Sequence, residues 1–329
     1  MRGIETVDVL DAAQRIRGHV AETPVVTHPL LDRMAGRPVL LKAEMLQVTG
    51  SFKARGAFNR LLAMSAEERA RGVVAWSAGN HGRALAHVGA QLGVPVTVVM
   101  PADAPRTKID ATAALGAEIR LYDRASEDRE AIGWGIAAKT GAMIVPPYED
   151  RHVIAGGGTV GLELLVASHR RGAPIGTVVV CTGGGGLVAG CALAMRTAGG
   201  KVQVWSAEPE GYDDTRRSLA AGERVSNTGK MPSSADALLT ITPGEMTFAL
   251  NRTLLAGGIA VSEDEIASAV RFAFEELKLV VEPGGAAALA AVIAGKMPAG
   301  EGAIGVVLTG GNVDAGVHAR LVAAGQRRW

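Results

Sequence analysis

Short, largely apolar and β-branched segments recur along the chain between stretches of helical composition: VVAW at 73–76, VTVVM at 96–100, EIRLY at 118–122, TVVVC at 177–181, VQVWSA at 202–207 and IGVVLT at 304–309. Most of them lack polar alternation, so both faces of the strand must be covered. Strands buried on both faces and separated by helices assemble into parallel sheets through βαβ connections. The fold class is therefore α/β.

No internal repeat, low-complexity tract or flexible linker interrupts the 329 residues, so any two domains should pack closely and share a cleft. Residues 49–148 carry the first three strands and form the expected small domain. Residues 1–48 and 149–329 form the larger one, with helices over EDEIASAVRFAFEELKL and GGAAALAAVIAG. Ligands bind in clefts between such units.

Composition excludes several function classes. A net charge of +1, with 48% apolar and 20% charged residues, describes a globular chain with no field for nucleic acid or an anionic membrane. The two cysteines, Cys181 and Cys191, lie in apolar segments without metal-ligand spacing and read as inert core thiols of a cytoplasmic protein. The N-terminus places acidic residues where a signal peptide needs an apolar run. Thr177–Met195 has the length of a membrane span, but four consecutive glycines within it would expose backbone to lipid.

Three stretches point to chemistry. In TGSFKARGAFNRLL, Lys53 stands where a helix begins. The positive end of the macrodipole disfavours a cation there and favours the neutral amine, the form that attacks carbonyls. In VVVCTGGGGLVAG a buried strand runs into Gly183, Gly184, Gly185 and Gly186 and then a helix, which converges N–H groups on an anion such as a phosphate. Gly184, Gly186 and Ala189, with Glu208 beyond them, formally satisfy a dinucleotide fingerprint, and so do Gly156, Gly158 and Gly161 without a strand before them. The lysine and hydroxyl of a P-loop are absent.

The third stretch, SAGNHGRALA, follows VVAW and opens another helix. It reads either as a carboxylate site or as a plain helix start, with Ser77 as N-cap and Asn80 and His81 on the surface. VVLTGGNVD and EPGGAAALAA are ambiguous in isolation. Together, a carbonyl-reactive lysine, a phosphate loop and a carboxylate-sized helix N-terminus suit an aldehyde-bearing phosphate cofactor acting on amino acids.

Taken in order, TGSFKARGA, SAGNHGRALA, TGGGGLVAG, AEPEGYDD, EPGGAAALAA and LTGGNVD resemble the serine/threonine dehydratase and serine racemase family of fold-type II pyridoxal 5′-phosphate enzymes. The resemblance implies that Lys53 carries the cofactor as a Schiff base, that Phe52 packs beside its ring, and that Asn80 bonds its 3′-oxygen. Gly183–Gly186 would bind its phosphate and Thr309 would face the pyridine nitrogen. A neutral hydroxyl there makes a weaker electron sink than an aspartate partner would, which suits β-elimination. Ser77, Ala78, Gly79, Asn80 and His81 would hold the substrate carboxylate. The implied reaction removes the α-proton with Lys53 and the β-hydroxyl as water, and ends in a 2-oxo acid and ammonia.

The resemblance also implies a Mg²⁺ or Ca²⁺ site at Glu208, Asp214 and the Tyr212 carbonyl, and a homodimer. Departures from the family pattern bear on subtype. Racemases carry a serine where this chain has Ala78, so elimination should outrun racemisation. Val48 replaces a lysine near the nucleotide site of the animal racemases, which argues against activation by ATP. Arg129 occupies a position from which racemase-like members reach a second substrate carboxylate, making 3-hydroxyaspartate a candidate beside serine and threonine. Ala237 replaces the usual glycine after the family's Ala-Asp, leaving room for a different side-chain pocket. No effector-binding domain is expected after GGNVD. The rival readings are an NAD-dependent dehydrogenase, a non-catalytic amino-acid-binding regulator and a sulfhydrylase-type β-replacement enzyme.

Overall fold

The computed structural model describes residues 3–199 and 201–329. Its strands are β1 (Val25–Val26), β2 (Val39–Ala43), β3 (Val73–Trp76), β4 (Val96–Pro101), β5 (Glu118–Tyr122), β6 (Met143–Ile144), β7 (Ile175–Cys181), β8 (Gln203–Pro209), β9 (Gly257–Val261) and β10 (Ala303–Leu308). They form two sheets, a six-stranded one in the order β1-β2-β10-β7-β8-β9 and a four-stranded one in the order β5-β4-β3-β6. All pairings are parallel except the short β1–β2 ribbon. The six segments expected from composition are all strands; β1, β2, β6 and β9 were not anticipated.

Burial explains the difference between central and edge strands. β7 and β10 are buried almost throughout, and helices on both faces cover them. β5 exposes three of its five residues and lies at the edge of its sheet. No helix among the described residues is long and apolar enough to cross a membrane; Thr177–Met195 is a strand, a loop and a helix.

Strand order determines where a ligand can sit. In the small sheet the chain moves from β3 to β4 on one side and returns to β6 on the other, so the order reverses at β3. In the large sheet β8 and β10 flank β7 in the same way. Crevices open beyond the carboxyl ends of strands at such reversal points. The loop after β3 is Ser77–Gly79 and the loop after β7 is Thr182–Gly185.

Candidate active site

The lysine segment is held by the large sheet. Ser51 bridges Gly310, and the Phe52 N–H donates to the Thr309 carbonyl at 3.0 Å. Gly50 turns the chain at φ +76°, where a side chain would also strike Asn312. Lys53 is the first residue of the Lys53–Leu62 helix, and its Nζ donates to the Pro147 carbonyl at 2.7 Å, 5.0 Å from the Phe52 ring centre. Its pKa is pulled down to about 8 by burial. Removal from water, more than the helix end invoked from sequence, brings the free amine near neutrality.

Two residues on, the buried Arg55 guanidinium ties this helix down. It bonds both oxygens of the buried Glu44 and both oxygens of Glu163 at 2.6–2.8 Å. Lys42 joins the same cluster through Glu163. A charge cluster of this kind contributes little net stability but fixes geometry tightly when every member is bonded.

The Gly183–Gly186 loop emerges from β7 at the floor of the crevice. Gly184, Gly185 and Gly186 are buried, and among the described residues the N–H groups of Gly183, Gly184 and Gly185 find no protein acceptor. Buried N–H groups left without partners imply an anion that takes them. Gly185 sits at φ +88° as N-cap of the Gly186–Met195 helix. A Cβ on Gly184 would lie 2.2 Å from the Tyr148 ring, which packs across the loop. Behind it stands the Glu245–Leu254 helix, from which Thr247 Oγ1 donates to the Gly184 carbonyl at 2.7 Å and Asn251 Nδ2 to the Gly185 carbonyl at 3.2 Å. Glu149 accepts from the N–H groups of Met246 and Thr247 at the start of that helix.

Across the crevice, the loop after β3 leads into the Asn80–Leu92 helix. Ser77 Oγ accepts from the Gly79 N–H, and Ser77, Ala78 and Gly79 are partly or fully exposed. Asn80 Nδ2 donates to Glu282 at 2.7 Å, while its oxygen accepts from Asn312. His81 is not the surface residue that a plain helix start would give. It is buried, its Nε2 lies 2.8 Å from the Val145 carbonyl, and burial together with the nearby Lys53 charge lowers its pKa to about 3. A ring so placed stays neutral, and only its backbone N–H remains for an anion in the loop. Thr309, the residue after β10, is buried, and its carbonyl takes the Phe52 N–H.

Arg129 opens the Arg129–Thr140 helix, exposed and without an ion-pair partner among the described residues. Burial and then the Glu149 charge raise the Tyr148 pKa, against a smaller lowering by the Arg129 charge. Glu208, at the end of β8, accepts from the N–H groups of Thr215 and Arg216 and from Ser206. Asp214 opens the Asp214–Ala221 helix, bonded by Asn227 through one oxygen only, its Oδ2 buried without a partner. Burial, then the Asp214 charge, pushes Glu208 to about 8, and burial pushes Asp214 to about 7. Two carboxylates held above their ordinary range mainly by burial, one with a bare oxygen, fit a hard divalent cation. Tyr212, whose carbonyl is the third candidate ligand, is buried two residues before Asp214.

Two expectations resolve as packing. Gly156, Gly158 and Gly161 lie inside the Arg151–Arg170 helix, where Cβ atoms would meet Arg55 O at 2.5 Å, Gly190 O at 2.6 Å and the Ala194 side chain at 3.0 Å. They let helices approach and bind nothing. Cys181 and Cys191 are buried with thiols pushed up to about 12, as inert core residues should be. The sequence reading missed Tyr148, Glu149, Thr247, Asn251 and Asn312. Only Asn312 lay in a motif already singled out, GGNVD.

Residues 16–310 match the family described as Pyridoxal-phosphate dependent enzyme. The chain is 40% identical to the L-threo-3-hydroxyaspartate ammonia-lyase of Saccharomyces cerevisiae, over 96% of this chain and 95% of that protein. It is 38% identical to the L-threonine ammonia-lyase of Thermotoga maritima, over 97% of this chain and 78% of that one. Maize serine racemase superposes with a TM-score of 0.91 at 34% identity, covering 97% of both chains. A lysine brought near neutrality, a glycine loop with idle N–H groups and matches over nearly the whole chain agree: this protein belongs to the pyridoxal-phosphate dependent enzymes, in the branch of the ammonia-lyases and serine racemases.

Proposed function

We propose that the protein is an ammonia-lyase that eliminates water from L-threo-3-hydroxyaspartate, giving a 2-oxo acid and ammonia. The observation that carries the substrate is Arg129, an exposed guanidinium at the start of its helix with no ion-pair partner among the described residues. A β-carboxylate is the partner that such a fork binds in two parallel hydrogen bonds. The identity with the yeast L-threo-3-hydroxyaspartate ammonia-lyase supports the same reading.

In this reading the backbone N–H groups of Gly183–Gly186 hold the phosphate, Lys53 carries the cofactor, Phe52 flanks its ring, and Asn80 and Thr309 meet its oxygen and nitrogen. The bound cofactor supplies an electron sink for the pair released at Cα. Ser77, Ala78, Gly79, Asn80 and His81 receive the α-carboxylate through the start of the Asn80–Leu92 helix. Lys53 Nζ, neutral in useful proportion because its pKa lies at about 8, takes the α-proton. Ala78 has no proton to give to the opposite face, so elimination outruns racemisation. Glu208, Asp214 and the Tyr212 carbonyl hold Mg²⁺ or Ca²⁺, which neutralises their buried charge. The two sheets form the cores of two domains, 49–148 and the remainder, whose cleft encloses the site.

Ammonia release is measured from L-threo-3-hydroxyaspartate, L-serine and L-threonine, with product chirality followed in parallel. The dicarboxylate should be preferred, and Arg129→Ala should lower its kcat/KM by about a hundredfold, the loss of a bidentate charged pair, while leaving serine turnover nearly unchanged. Equal losses on serine would make Arg129 a structural residue and the substrate a monocarboxylate.

A further inference from the structure

We infer that Thr247 and Asn251 are positioning residues that hold the glycine loop in its anion-binding orientation and so set affinity for the cofactor's phosphate. The inference rests on the reading of Gly183–Gly186 as the phosphate site and assigns a role to a helix outside every motif of the sequence.

Glycine peptides turn easily because no Cβ restrains them. In a trans peptide the carbonyl and the following N–H point in opposite directions. Whatever fixes the Gly184 carbonyl therefore fixes the Gly185 N–H, and whatever fixes the Gly185 carbonyl fixes the Gly186 N–H. Thr247 Oγ1 and Asn251 Nδ2 bond those two carbonyls at 2.7 and 3.2 Å. The Ala189 N–H shares the Gly185 carbonyl as the first bond of its helix. A peptide that flipped would turn its carbonyl toward a phosphate and withdraw the N–H.

The placement of the two side chains is specific. They stand one turn apart on the Glu245–Leu254 helix, both fully buried, on the face toward the loop. Thr247 also has a weaker contact with the Gly244 carbonyl at 3.3 Å, and the Asn251 oxygen has no partner, so the useful bond of each goes to the loop. The helix is in turn seated by Glu149 across its first N–H groups, and Glu149 adjoins Tyr148, which covers the loop from the other side. The loop is thus gripped between the Tyr148 ring and two buried donors.

The test compares two aldehydes that differ only in the phosphate. Full-length protein stripped of cofactor is titrated with pyridoxal 5′-phosphate and, separately, with pyridoxal, following Schiff-base absorbance. Thr247→Val keeps the shape and removes the donor. It should weaken pyridoxal 5′-phosphate roughly tenfold, as expected for one lost hydrogen bond to a buried carbonyl, and leave pyridoxal unchanged; Thr247→Ser should restore the wild-type value. Asn251→Leu should act in the same direction. A Thr247→Val protein that loses both aldehydes alike, or neither, overturns the inference while the loop remains the phosphate site. A wild-type protein that binds pyridoxal as tightly as its phosphate overturns the site reading and the inference with it.

Discussion

The chain uses runs of glycine in two opposite ways. Gly156, Gly158 and Gly161 are helical and face neighbouring chain at 2.5–3.0 Å from where a Cβ would stand, so each hydrogen in place of a side chain is a packing requirement. Gly183–Gly186 form a loop in which the N–H groups of Gly183, Gly184 and Gly185 have no protein acceptor among the described residues, and there the lack of side chains lets neighbours pack onto a backbone that can still donate to a ligand. Both runs fit the same dinucleotide pattern, and neither has to be a dinucleotide site. What separates Gly156 and Gly158 from Gly184 is the neighbour a Cβ would meet: backbone at the first two, the Tyr148 ring at the third.

The largest expected effect comes from forcing a side chain into the helical run. A Cβ at Gly158 would sit 2.6 Å from the Gly190 carbonyl oxygen, and one at Gly190 would sit 2.4 Å from the Ile154 oxygen. Neither backbone yields without separating two helices. Gly158→Ala should destabilise the protein by about 3 kcal/mol or more, at the upper end of overpacking costs. Denaturant unfolding of the cofactor-free protein measures it. A loss below about 1 kcal/mol would mean that the helices slide apart at little cost.

A third glycine group surrounds an ionisable side chain and sharpens the contrast by pH. A Cβ on Gly310 would meet Glu282 at 2.5 Å, and one on Gly285 would meet Gly310 at 2.7 Å, so the carboxyl is enclosed tightly. Burial raises its pKa from the ordinary 4.5 to about 7, against the lowering effect of the Asn80 amide. A folded pKa above the unfolded one means that the native state binds the proton more strongly. The stabilisation is complete below pH 4.5 and is lost as pH rises through about 7. Glu282→Gln keeps a partner for Asn80 and removes the titration. The wild-type protein should lose on the order of 2 kcal/mol relative to this variant between pH 4.5 and 8, by denaturant melts at each pH. Parallel pH curves for the two proteins would place the titration elsewhere.

The legible part of the fold was what side-chain composition alone dictates. VVAW, EIRLY and TVVVC coincide closely with β3, β5 and the end of β7 because buried central strands need unbroken β-branched runs and EIRLY has a strand-forming pattern even at an edge. β1 and β6 have two residues each, and β9 begins with two glycines, so none had a composition to read. In the site, Lys53, the glycine loop and the loop after β3 were legible because each needs an uncommon residue at a strand-to-helix junction or helix start. Thr247 and Asn251 were not. A threonine and an asparagine one turn apart are ordinary on any helix, and their meaning comes from the tertiary approach of that helix to two carbonyls 63 and 66 residues earlier in the chain. His81 misled in the other direction, since a histidine after a helix start reads as surface until the fold buries it.

The smallest expected effect tests the loop itself. Gly184→Ala places a methyl group against the Tyr148 ring, 2.2 Å from its nearest atom. Unlike the backbone that faces Gly158, that ring belongs to a side chain that is only partly buried. The cofactor-free fold should therefore change by no more than about 0.5 kcal/mol, the range of substitutions whose neighbours can give way. Cofactor affinity should fall roughly tenfold, about 1.4 kcal/mol, because the displaced ring no longer holds the loop against the Thr247 and Asn251 donors. Tyr148→Ala in the same chain removes the clash, so the double variant should bind no worse than Tyr148→Ala alone. If Gly184→Ala instead unfolds the protein as Gly158→Ala does, the two glycine runs are alike in kind, and the open crevice above the second is part of the packing.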